Sequence, residues 1–383
     1  MTSNSLPDKY NIHVYYSQYL SESRIFRHAK ALEKSKIFPM ILLIGFTCSS
    51  KLASTQFSET VFINRIMLPG FLPKALKFLY WNIALLILYA RTKVKCINCH
   101  SLTCLPVSVL LSLFSRARLI YEPHELETEK ISLPSILKPI FFFIERYLIK
   151  FADTSVFVGS EIKSWYVKHM DPSHPLVVLN VPHYNSFPEP NQYFRNYFGI
   201  ESTTKIYLYQ GLFSDGRGLS TIIDAFHFLS DHDICLILLG FGPSLPKVLN
   251  SVSNCPNIYY HPAVDPSELL DLTASADFGL SFVEPKCLSY IYCMPNKLFE
   301  YIAAGIPVIV SPLKEQASFV KNLSIGFVAE SHSVLSLISC IKSSAVTNQV
   351  DLVDCVHRAR KKYDHSQEMQ VYLRAFQHIN PRP

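Results

Sequence analysis

The chain has 383 residues, 49% of them hydrophobic and 17% charged, with 24 Pro and only 12 Gly. That balance excludes a disordered chain, a collagen-like repeat and a small disulfide scaffold, and at roughly 100–200 residues per domain the length predicts two domains with a core each. The net charge of +6 is uneven, since residues 1–120 carry 15 Lys+Arg against 4 Asp+Glu and the remainder 21 against 26.

The basic first part points toward an anionic partner such as a membrane surface, because a one-sided field concentrates counter-ions. No aromatic–basic surface motif accompanies the charge, so nucleic acid is not the expected partner. Residues 1–9, MTSNSLPDK, hold no apolar core of a secretory signal. A cytoplasmic protein is expected, either free or peripheral on the inner face of the membrane, with its ten Cys reduced and buried as small hydrophobes.

Along the chain, short Val/Ile/Leu-rich runs alternate with helical patterns. Strands are predicted at 11–16, 40–46, 61–68, 94–98, 117–122, 154–159 and 175–180. After a Pro/Asn-rich stretch at 181–192 the alternation restarts with strands at 205–211, 235–242, 257–261, 276–282, 307–311 and 325–330. Continuous hydrophobicity within each run predicts parallel strands buried on both faces. The expected fold is therefore α/β, two Rossmann-like doubly wound domains facing each other across a cleft. Their expected limits are 1–185 and 186–365, with a C-terminal helix and tail, 366–383, placed to pack back on the first domain. The longest apolar run, 78–90 (FLYWNIALLILYA), is flanked by Lys74, Lys77, Arg91, Lys93 and Lys95. It is too short to span a bilayer, which takes about 20 residues, and reads as a helix packed on the sheet, with a shallow membrane contact as the alternative.

Ligands of open parallel sheets bind beyond the carboxyl ends of the strands, so the segments following strands are the candidates. In MPNKLFEYIAAGIPVIVS, 294–311, Asn296 opens a helix on which Lys297 and Glu300 share a face. A helix start with a lysine suits a diphosphate, and a carboxylate one turn on suits the two hydroxyls of a ribose. In YQGLFSDGRGL, 209–219, Gly211, Gly216 and Gly218 let backbone approach a ligand, and Arg217 offers a bidentate donor to phosphate. In LIYEPHELETEK, 119–130, His124 and Glu125 follow a strand of the first domain. Each segment also has a plain structural reading, as a capped surface helix, a glycine turn and a structural histidine.

The order of these motifs resembles the retaining nucleotide-sugar glycosyltransferases of family 4 (glycosyltransferase group 1), which have the GT-B architecture. INCHSLTCLPVSVLLS, YEPHE, ERYLIKFADTSVFVGSEIKSWY, LLGFGP and PNKLFEYIAAGIPVIVS follow one another as they do in that family, over nearly the whole chain. The resemblance implies that Arg217 and Lys297 hold the donor diphosphate and Glu300 the ribose. It further implies that His124 lies beside the transferred sugar, and that Gly211, Gly240, Gly242 and Asn296 line the nucleotide pocket. His124, Arg217 and Lys297 would be the catalytic set. The sequence departs from the family pattern at Tyr292, where the first acid of an E-x7-E motif is common and the nearest upstream acid is Glu284. It departs again at Leu212, where a phosphate-loop Arg is common, and in YYSQYLSES, which lacks a glycine pair.

Two motifs point elsewhere. CINCH, 96–100, matches a haem-attachment pattern with Cys104 following, and 231–233 (DHD) imitates a metal-binding D-x-D. The first reads as cysteines alternating along a strand that ends at His100. The second lies at the amino end of its strand, away from the crevice. Neither a metal nor a cofactor beyond the nucleotide-sugar donor is expected. The function implied is transfer of a hexosyl group from a UDP- or GDP-sugar to a saccharide or lipid-linked hydroxyl acceptor, with retention, in surface polysaccharide or glycolipid synthesis. The alternatives are a nucleotide-sugar 2-epimerase and a non-catalytic sugar-nucleotide-binding module.

Overall fold

The computed structural model describes residues 9–20, 22–49, 54–184, 186–230 and 233–377. Residues 1–8 of the N-terminal segment, Asp231 and His232 of the DHD motif, and residues 378–383 of the tail lie outside the described residues. The chain forms two compact units. One runs to Leu179 and is joined by the residues from Ser366 onward, and the other is Asn180–His365.

The first unit is built on eight strands, β1 (Tyr10–Val14), β2 (Ile41–Thr47), β3 (Ser54–Gln56), β4 (Val61–Met67), β5 (Val94–Cys99), β6 (Arg118–Tyr121), β7 (Thr154–Phe157) and β8 (Pro175–Val177). Their order in the sheet is β3-β4-β2-β1-β5-β6-β7-β8. All pairs are parallel except β3 with β4. Every residue of β1 is buried, as a strand covered by helices on both faces requires. Each of the seven strands expected for this unit is present, six of them within two residues of the predicted limits, while the last, expected at 175–180, ends at Val177. The addition is β3, a polar three-residue edge strand with no apolar signal to reveal it. The order reverses between β1 and β5, whose registers set His13 opposite Asn98. In a doubly wound sheet the strand ends at such a reversal are where a crevice opens.

The chain returns to this unit at its end. The helix His365–Leu373 and the turn Arg374–Phe376 bring Tyr372 and Phe376 into the core beside Phe38, Ile41 and Val156. The helix Lys74–Tyr89 packs on the sheet through Trp81, Leu85 and Tyr89, four residues apart, with the Trp81 indole N–H donating to the Gly45 carbonyl at 2.7 Å. Its burial is narrower than the expected core helix, because the opposite face stays apolar and open: Ile87 is 76% exposed.

The second unit has six parallel strands, β9 (Lys205–Leu212), β10 (Ile234–Phe241), β11 (Ile258–Pro262), β12 (Phe278–Ser281), β13 (Val308–Val310) and β14 (Gly326–Val328). The order is β11-β10-β9-β12-β13-β14, reversing between β9 and β12. Tyr301, on the helix Asn296–Ala304, clamps that reversal. Its hydroxyl donates to the carbonyls of Leu208 on β9 and Leu280 on β12 and accepts from the Gln210 amide. A side chain at Gly279 would meet the Tyr301 ring at 2.3 Å, so the helix lies directly on the sheet there.

One buried acid in the first unit makes a test of packing. Glu145 Oε1 accepts from the hydroxyls of Tyr121 and Tyr166 at 2.6 and 2.7 Å, while Oε2 has no partner among the described residues. Burial pushes this carboxyl up from 4.5 to about 8, so it is protonated at neutral pH. The folded state then keeps a proton that the unfolded chain releases between those values, and stability falls as pH rises through that window. Glu145→Gln should remove this part of the pH dependence, on the order of a few kcal/mol at alkaline pH. Urea unfolding at a series of pH values would measure it.

Candidate functional site

The second unit gathers its candidate residues at the β9–β12 reversal. Gly211, near the end of β9, has φ 110° and open space where a Cβ would stand. At Gly240 and Gly242 a Cβ would meet the carbonyl oxygens of Gly211 and Phe213 at 2.0 and 2.4 Å. Their glycine identity is thus accounted for by close packing of the β9 and β10 ends, whereas Gly211 borders open space. The loop after β9 continues through Gly216 and Gly218, both at positive φ, with Gly218 against the Phe282 carbonyl that follows β12.

Arg217, in this loop, rests its guanidinium 4.7 Å from the centre of the Tyr290 ring. Lys297 lies 3.4 Å over the Tyr209 ring. These aromatic faces seat the Arg217 guanidinium and the Lys297 amino group through the ring quadrupole and bring no counter-charge. Glu300 accepts from Gln210 Nε2 at 2.6 Å, and Gln210 Oε1 accepts from Thr273, which fixes which way the amide points. No side-chain cap closes the start of the helix that carries Lys297, and Asn296 at that start accepts from the Asn180 side chain. Lys286 pairs with Asp215 and Glu284, and Glu284 donates its backbone N–H to the Gly216 carbonyl, so both border the loop that carries Arg217. Tyr292 ends the short helix Leu288–Ile291 as its C-cap.

Burial, and then the neighbouring Arg217, pushes the Lys297 ammonium down to about 7, against the opposing pull of Glu300. An anion bound against Lys297 restores its charge. Binding of inorganic pyrophosphate above pH 7 should therefore draw a proton into the protein, and Lys297→Met should lose that uptake. Calorimetry in two buffers of different ionisation enthalpy reads the proton count directly.

His124 belongs to the first unit, in a cluster that the sequence disclosed only at His100 and His124. Glu122, fully buried after β6, accepts from Asn98 Nδ2 at 2.6 Å and from the Tyr372 hydroxyl at 3.1 Å on Oε1. Its Oε2 lies 2.8 Å from His28 Nδ1 and 3.8 Å from His100 Nδ1. His100 Nε2 lies 2.8 Å from His13 Nδ1, and His100 Nδ1 lies 3.3 Å from His124 Nε2. His28 is itself stacked on Tyr372 at 3.8 Å between ring centres. A signal for these partners does exist in the sequence. Asn11, His13, Asn98 and Glu122 each interrupt or end an apolar strand, and each faces another across β1, β5 and β6. The cysteines of CINCH behave as read: Cys96 and Cys99 are buried, and burial pushes their thiols up. Glu125, named beside His124, pairs instead with Lys130 at 3.3 Å.

Burial works against ionising Glu122, yet the histidines and the donors around it hold the carboxyl well below the usual range. Burial pushes His28 down to about 4 and His13 and His124 to about 3. At neutral pH the cluster is one carboxylate among neutral imidazoles. The negative charge beside His100 Nδ1 favours a proton there, which then points at His124 Nε2, while His100 Nε2 accepts from His13. His124 is left with its own proton on Nδ1, a hydrogen-bond donor to an oxygen rather than an acid or base. Long-range proton–nitrogen NMR should find His124 neutral and protonated on Nδ1 down to about pH 5. Titration of His124 near 6.5 would falsify the ladder.

Residues 221–365, within the second unit, match the family model of the glucosyltransferase 3-like C-terminal domain. A search of curated protein sequences finds no match. Among solved structures, the chain is similar to sucrose-phosphate synthase of Thermosynechococcus elongatus, at 14% identity and a TM-score of 0.77, over 97% of this chain and 99% of that one. It is also similar to HepE of Anabaena, solved with UDP and glucose, at 12% identity and a TM-score of 0.74, over 97% and 100% of the two chains. WaaG, a glycosyltransferase of lipopolysaccharide biosynthesis, matches at 13% identity and a TM-score of 0.70, over 96% and 99%. The fold is that of the GT-B glycosyltransferases.

Proposed function

We propose that the protein is a retaining hexosyltransferase that moves a sugar from a UDP- or GDP-sugar to a hydroxyl of a saccharide or lipid-linked acceptor. The observation that carries this reading is the group of Arg217, Lys297 and Glu300 at the sheet reversal, with Gly211 opening on space beside them. Two cations seated on aromatic rings suit a diphosphate, and a carboxylate oriented by Gln210 suits a pair of ribose hydroxyls. The relative HepE was solved with UDP and glucose, and the C-terminal domain model is that of glucosyltransferase 3-like proteins.

In this reading Arg217 and Lys297 stabilise the charge that gathers on the departing diphosphate as the bond to the anomeric carbon lengthens. The leaving phosphate oxygen takes the proton of the acceptor hydroxyl attacking from the same face, so the configuration is retained. His124, neutral, donates to a sugar oxygen and positions it. A role in surface polysaccharide or glycolipid synthesis would place the acceptor at the cytoplasmic membrane surface.

Glu300→Ala should weaken UDP or GDP binding by roughly 1–3 kcal/mol, the scale of lost charged hydrogen bonds, as calorimetry would measure. Arg217→Ala should lower transfer about 10²-fold or more. His124→Ala should slow transfer with little change in nucleotide affinity. If the wild-type protein binds nucleotide-sugar but neither transfers nor hydrolyses it with any acceptor, a binding module is the correct reading.

A further inference from the structure

The first unit carries three adjacent helices that each leave an apolar stripe uncovered. Lys74–Tyr89 packs against Leu105–Ser115, which packs against Lys138–Leu148. On the first, Tyr80, Ile83 and Ile87 are exposed at helical spacing. The second exposes Leu110, Leu113 and Phe114, and the third Ile140, Phe143 and Tyr147. Ile87, Phe114 and Phe143 are 76%, 68% and 66% exposed, so the stripes are open surface rather than the edges of a core. An uncovered apolar surface spanning three helices marks an interaction face, since isolated exposed hydrophobic residues would not align this way. Beside the first helix the surface dips into a groove of about 530 Å³ walled by Leu42, Phe62, Ile66 and Ile83.

The charge bordering this face selects its partner. From residue 60 to residue 121 the chain has no Asp or Glu, yet it carries eight Lys and Arg. Lys74, Arg91 and Arg116 are exposed at the ends of the first two helices, and Arg146 and Lys150 at the end of the third. The one acid of the third helix, Glu145, is buried. A second copy of the chain would bring two such cationic borders together, which disfavours self-association. A surface offering an apolar interior beneath fixed negative charge satisfies both features at once, and juxtamembrane Lys or Arg contribute about 1 kcal/mol each toward it.

We propose that this three-helix face docks the protein on an anionic lipid bilayer, with the apolar stripes entering the headgroup boundary and the bordering cations meeting lipid phosphates. The inference rests on this surface alone and stands whether or not the protein transfers sugar. Sedimentation with phosphatidylglycerol-rich vesicles should pellet the protein. Binding should weaken as salt rises and be lost on phosphatidylcholine vesicles, since exposed charges are screened within about 10 Å at 0.1 M salt. The triple variant Ile87→Glu, Phe114→Glu, Phe143→Glu should stay in the supernatant. A second variant, Arg91→Glu with Arg116→Glu, leaves every apolar residue in place and should lose the same binding, which covers the case of a misfolded triple variant. UDP affinity, measured on the same preparations, should be unchanged in both and reports the nucleotide site separately. Wild-type protein left in the supernatant with anionic vesicles would overturn the proposal. So would a wild-type dimer by light scattering that the triple variant dissolves, because the face would then belong to a second copy.

Discussion

A parallel strand buried on both faces can present a polar side chain to a ligand only where it ends. That constraint organises both units, because each carries its polar residues at the one point where the strand order reverses and the flanking helices part. In the second unit the hydroxyl of Tyr301 bonds to both strands of the reversal, β9 and β12, and adds to their own backbone pairing. The helix bearing Lys297 and Glu300 is fixed to the sheet by the same residue. The placement of Lys297 and Glu300 therefore follows from the packing of Tyr301 against Gly279 rather than from the charges themselves.

The first unit solves a harder problem, since its reversal encloses an ionised carboxylate. An isolated buried charge is costly enough that the group normally neutralises. Glu122 stays charged because Asn98, Tyr372 and His28 supply donors to both of its oxygens. Asn11 in turn donates to Asn98 Oδ1 at 2.8 Å and leaves the Asn98 amide group free to serve Glu122. Around the carboxylate the donors are complete, while Asn11 Oδ1 and His13 Nε2, further out, have no partner among the described residues.

The fold was legible because its signal is dense: thirteen runs of apolar residues, each of strand length, were present in the sequence and all thirteen are strands. Strand β3 escaped because Ser54, Thr55 and Gln56 form an edge through backbone pairing that leaves no apolar trace. In the second unit, Lys297 and Glu300 were visible through their spacing on one helix, but the rings under the cations were not. Tyr209 lies within a strand and Tyr290 on a separate short helix, so neither reads as part of a cation site until the chain is folded. The histidine cluster was least legible, since its members come from five segments between Asn11 and Tyr372. A polar residue inside an apolar strand is a local oddity, and only the sheet order turns several of them into one group.

The position of Tyr372 has a consequence for how the protein is made. The ribosome emits residues 1–179 first, and the entire second unit, Asn180–His365, follows before the last helix can return. Until then the sheet of the first unit lacks the hydroxyl that bonds to Asn98 and Glu122 and the ring stacked on His28. The nascent unit must wait with its central carboxyl only partly satisfied, at a time when domains ordinarily fold as they emerge. Completion of the first unit is thereby coupled to synthesis of the whole second unit, and a polypeptide broken off within that unit would carry an unfinished first one for the rest of its life.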